Sequence, residues 1–96
     1  MYFYCFEGNI KFMRSNTLNG KANIIGKNVQ KYRLEKDFSL RKLSEKLQLQ
    51  GITLYHTDIF EIENQNRLVK DFELKAICKA LGVSYEDIYN DTDCDD

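Results

Sequence analysis

From Asn23 onward the apolar positions recur at helical spacing, and they divide the chain into five predicted helices. Ile25, Val29 and Tyr32 fall at offsets of four and seven, which predicts a first helix over about 24–36 that ends at Asp37, a residue type that tolerates left-handed backbone. Ser39 is a good N-cap for a second helix whose Leu40, Leu43 and Leu47 line one face before it stops near Leu49. Gln50 and Gly51 open a loop, and a third helix over about 56–65 has Ile59 and Ile62 as inward anchors. After a polar connector, Leu74, Ile77, Cys78 and Leu81 define a fourth helix capped by Gly82. Ser84 and Asp87 are spaced as a capping box, so a short fifth helix runs through Ile88 and Tyr89, and residues 90–96 are expected to be frayed and solvated.

Composition narrows the class. A chain of 96 residues with 43% hydrophobic and 30% charged residues supports one modest core, hence a single domain, and it has no apolar run long enough for a transmembrane helix. Cys5, Cys78 and Cys94 are odd in number and widely spaced, so neither a disulfide framework nor a zinc ribbon is encoded and a reducing, cytoplasmic location is expected. The formal net charge of −1 hides an asymmetry. Residues 24–70 carry nine Lys or Arg against six Asp or Glu, while residues 71–96 carry two against eight.

The opening lies apart from this pattern. Residues 1–23 read as an N-terminal extension, with the helical domain over 24–90 and an acidic tail over 91–96. Tyr2, Phe3, Tyr4, Phe6 and Phe12 lack the features of a signal peptide. One reading is an extra strand or hairpin folded about Glu7-Gly8-Asn9. In the other, codons for Glu-Gly-Asn form a purine-rich ribosome-binding sequence and natural translation starts at Met13.

The order of residues over roughly 24–90 resembles the Cro and lambda-repressor (Xre-type) helix-turn-helix regulators. The resemblance is carried by Ile25-Gly26, Arg33, Phe38-Ser39, Leu43-Ser44-Glu45-Lys46-Leu47, Ile59-x-x-Ile62-Glu63-Asn64, and the stretch from Leu74 to Val83. A subgroup of that family has a longer turn like Leu47-Gln48-Leu49-Gln50-Gly51-Ile52-Thr53-Leu54 and a connector like the one from Arg67 to Ile77. The resemblance implies an all-α, five-helix lambda-repressor-like bundle with an extended turn. Its third helix would enter the major groove of double-stranded DNA. It also implies a partly buried ion pair between Arg33 and Glu63, the alternative being two unrelated surface charges.

With Ile59 and Ile62 inward, a rotation of about 100° per residue turns Thr57, Phe60, Glu61 and Asn64 to the opposite face. Tyr55 and His56 stand where family members often carry a Ser-Arg or Ser-Gln pair. Phe60 is suited to a thymine methyl, Thr57 to a base edge or phosphate, Asn64 to phosphate or adenine, and Glu61 to a cytosine amino group. Asp58 and Glu61 set negative charge where the family usually has neutral or basic residues. Phosphate contacts are expected from Arg41, Lys42, Arg67 and Lys70, whereas Lys27, Lys31 and Lys46 read as solvated surface.

Other signals point away from chemistry. His56 has no partner at a spacing that makes a triad, and Asp91-x-Asp93-x-Asp95 lacks the glycine and closing glutamate of a calcium loop. No metal, cofactor or small-molecule substrate is expected, and the sequence reads as a non-enzymatic transcriptional regulator, repressor in type, that acts as a homodimer. The rival reading is a protein-interaction module, adaptor or antitoxin-like, in which Tyr55 and Phe60 anchor an interface.

Overall fold

The computed structural model describes residues 17, 18 and 20–92. The aromatic opening, the alternative start at Met13, Cys5, Cys94 and the acidic tail beyond Thr92 lie outside the described residues. Among the described residues the protein is all-helical, with α1 Gly26–Glu35, α2 Leu40–Gln48, α3 His56–Glu63, α4 Asp71–Leu81 and α5 Tyr85–Ile88. An isolated bridge between Leu18 and Lys21 precedes them. None of these helices is long and apolar enough to cross a membrane.

The core gathers the periodic positions of every helix. Val29, Leu43, Leu47, Ile59, Ile62, Ile77, Leu81 and Ile88 are all completely buried, and each contributes about 1.5–3 kcal/mol relative to exposure. Helix α3 packs against both α1 and α2, while α4 closes the other side of α1 and α2 and carries α5. Phe38, Leu40 and Leu74 are half-buried at the margin of this core. Cys78 belongs to it as a free thiol, and burial pushes its pKa up, so it stays neutral and inert.

Helix ends follow local chemistry. Ser39 Oγ accepts the Lys42 N–H at 3.0 Å, and Ser84 Oγ accepts that of Asp87 at 3.0 Å. Asp37, Gln65 and Gly82 adopt left-handed backbone with φ of 60°, 63° and 69°. Behind each of them the next N–H folds back five residues, from Phe38 to Arg33, Asn66 to Glu61 and Val83 to Cys78, closing the turn on an orphan carbonyl. Gln65 therefore ends α3 at Glu63, two residues short of the sequence-based boundary. At the other margin α1 begins at Gly26, because the Asn23 side chain accepts the Gly26 N–H at 2.8 Å and holds Ile24 and Ile25 outside the helix.

Long-range polar latches tie the ends together. Asn28 Nδ2 donates to the carbonyls of Ile88 at 2.8 Å and Asn90 at 2.7 Å, joining α1 to the exit of α5. Replacement of Asn28 by alanine is expected to cost about 1–2 kcal/mol. A thermal melt with an unchanged midpoint would show that this latch carries no stability.

Candidate nucleic-acid interface

Helix α3 is pinned at both ends. At its entry, the Ser44 hydroxyl donates to the Leu54 carbonyl at 2.6 Å, and Leu54 itself is buried. The extended turn before it is held by Gln50, whose Nε2 donates to the Ala76 carbonyl in α4 at 3.0 Å, while Gly51 takes φ of 81°. At its exit, Asn23 Nδ2 donates to the carbonyls of Ile62 at 3.1 Å and Arg67 at 2.8 Å. The Ala22 N–H reaches the Gln65 carbonyl at 2.8 Å, so residues 22 and 23 join the bundle instead of trailing from it.

Arg33 and Glu63 complete the exit. The guanidinium grips the carboxylate bidentately, Nε on Oε2 and Nη2 on Oε1 at 3.0 Å, and Nη1 donates to the Phe38 carbonyl at 2.8 Å. Their side chains are only 10% and 2% exposed, so this is a desolvated pair and not two surface charges.

With Ile59, Ile62 and Glu63 turned inward, Thr57, Phe60, Glu61 and Asn64 all face solvent along one side of α3. Phe60 is 51% exposed and Tyr55, at the N-cap, 64%. His56 is half-buried beside them. Arg41 and Lys42 are exposed in the first turn of α2. The fold thus leaves these expected positions uncovered, His56 only in part.

Two of the expected charges have partners within the fold. Asp58 Oδ2 accepts the Tyr55 N–H at 2.9 Å, so the carboxylate that looked hostile to a polyanion caps the helix and meets the positive end of its dipole. Arg67, expected as a phosphate contact, donates through Nη1 to Glu73 Oε1 at 3.1 Å and to the Leu68 carbonyl at 3.2 Å. The same Glu73 oxygen accepts the Lys70 N–H at 3.0 Å, and Glu73 is buried beneath them. A buried carboxylate needs such partners, and Arg67 serves as one from α4's flank while its own side chain stays 31% exposed.

The Lys70 ammonium lies 5.7 Å from the Phe72 ring centroid and remains exposed. Lys46, read as plain surface, is half-buried with its ammonium 5.0 Å from the Phe38 ring centroid. Lys21 was not singled out in the sequence, yet the pairing of Ala22 with Gln65 brings this exposed cation beside the end of α3. Its only sequence signal was membership of a segment that matched no helical pattern.

Among the described residues no group of three or more His, Cys, Asp or Glu is arranged to hold a metal ion. Comparison with protein-family models, with curated protein sequences and with solved structures returns no match.

Proposed function

We propose that the chain is a sequence-specific DNA-binding transcriptional regulator of the helix-turn-helix type, using a bundle like that of Cro and lambda repressor. In this reading α2 and α3 are the motif and α3 enters the major groove, with Thr57, Phe60, Glu61 and Asn64 toward base edges. The carrying observation is the uncovered face of a helix whose opposite face and both ends are fixed by the fold. Arg41, Lys42 and Lys70 supply positive charge around it, and the Asp58 charge is absorbed in a cap. The chain acts as a dimer on an inverted repeat, since two half-sites multiply affinity.

A gel-shift titration of the chain at two salt concentrations, on random and own-promoter duplexes, tests this. Three phosphate contacts per half-site predict that log K falls with log salt at a slope of about −3 for each half-site. Replacing Lys42 by alanine should weaken binding to all duplexes and reduce that slope by about 1 for each half-site. Replacing Asn64 should instead cost about 1–3 kcal/mol on the promoter duplex alone. Absence of binding at low salt removes the reading.

A protein-interaction module is the second reading, favoured by the exposed aromatics Tyr55 and Phe60 and by Leu49, which is 87% exposed in the turn before α3. Its affinity for a partner would be nearly independent of salt.

A further inference from the structure

The described chain begins in a tight reversal beside an apolar groove. Leu18 and Lys21 exchange both backbone hydrogen bonds, the Leu18 N–H to the Lys21 carbonyl at 2.8 Å and the Lys21 N–H to the Leu18 carbonyl at 2.9 Å, around Gly20 at φ 79°. Such a two-residue turn lays its two limbs antiparallel. On the outgoing limb, Ile24 and Ile25 line a groove of about 300 Å³ together with Val69 and Leu74, and half-exposed Leu68 and Tyr89 stand at its edge. Asp71 is the only charged residue among the described lining, and it is exposed and forms no salt bridge with any described residue.

We propose that this groove receives the chain's own residues 10–14, with Phe12 as the anchor. Those residues lie on the incoming limb, where the six steps from Phe12 to Leu18 span at most about 20 Å. Residues 22–25 follow Lys21 directly on the other limb, so the reversal carries Phe12 and Met13 back to the end formed by Ile24 and Ile25. The sequence Ile10-Lys11-Phe12-Met13-Arg14 offers three apolar side chains and two cations, which suits an apolar cleft whose charged lining is one unpaired carboxylate. Its size is at the bottom of the range of about 300–1,000 Å³ for ligand pockets, which favours an inserted aromatic side chain over a larger molecule. The occupant is present only when translation starts ahead of Met13.

The groove wall includes Asn23, whose side chain holds the Ile62 and Arg67 carbonyls at the exit of α3. A docked Phe12 thus covers the segment that carries this latch, while no described residue of the lining belongs to α3. Phe12→Trp tests the docking in the full chain, which has no tryptophan of its own. A blue-shifted emission that resists iodide quenching and does not change with protein concentration is expected. The further pair Leu68→Lys and Asp71→Lys, both at exposed positions, should return emission and quenching to solvent values with circular dichroism unchanged. A second measurement leaves the groove intact. Tryptic cleavage after Arg14 should be about tenfold slower in the unaltered chain than in Phe12→Ser, since a docked segment is cut only when it opens.

Solvent-like emission from the tryptophan, or equal cleavage rates in the two chains, overturns the proposal. So does shielding that survives the two lysines, which would seat Phe12 elsewhere, or shielding that grows with concentration, which would seat it on another copy. No duplex enters these measurements, so their outcome stands apart from the regulator reading.

Discussion

Replacing Glu63 by alanine is expected to lower the stability of the folded chain by about 3–5 kcal/mol, because it strands the Arg33 guanidinium in a site only 10% exposed. Against a typical total of about 5–15 kcal/mol for a domain, that loss populates the unfolded state visibly in a urea titration. The size of the effect measures the buried charge left behind and not the worth of the pair. A double replacement, Arg33→Met with Glu63→Leu, should therefore recover most of the loss. Full recovery is not expected, since Arg33 Nη1 also serves the Phe38 carbonyl, whose orphaning costs about 1 kcal/mol. A single variant with the wild-type urea midpoint would contradict the buried pair.

Gly26→Ala should destabilise by about 2–3 kcal/mol, the range for overfilling a packed site. This is opposite in sign to the usual gain of about 0.4–1 kcal/mol when alanine replaces glycine at an unstrained helical position. A Cβ there would overlap the Ile62 carbonyl oxygen and stand 3.0 Å from both Asn23 Oδ1 and Gln65 Cγ. The same carbonyl accepts from Asn23, so relief of the overlap must either move α1 away from α3 or break that bond. Stability is expected to fall and, on the proposed regulator reading, duplex affinity with it, because the exit of α3 moves. A stabilised variant in differential scanning calorimetry would show that α1 and α3 do not approach as closely as described.

What the sequence made legible is what local rules govern. Ser39, Ser84 and Gly82 announce helix ends through groups one turn away, and Ile59 with Ile62 orients α3 because two branched apolar side chains three residues apart share one face. What stayed hidden is polar and long-range. Asn23 and Gln65 have many possible partners, and their choice of each other and of Ile62 is made only once α1 and α3 are docked. Glu73 sits at a position that a sequence pattern assigns to the surface, and only its burial explains why it takes Arg67 as a partner. Asp58 could be counted as a charge from sequence, but its direction, back toward the Tyr55 N–H, decides whether that charge matters outside the helix.

On the proposed regulator reading, the pinning of α3 at both ends has a consequence for the duplex that it would enter. Ser44 holds the entry from 10 residues away, and Asn23 and Arg33 hold the exit from 39 and 30 residues away, so the helix has little freedom to tilt or slide. Where helix and groove differ in shape, the double helix must bend, twist or change its groove width to close the gap. Stiffness toward such deformation differs between base steps. Base pairs beyond the reach of every side chain named here would then help to decide where the protein settles, through their elasticity alone.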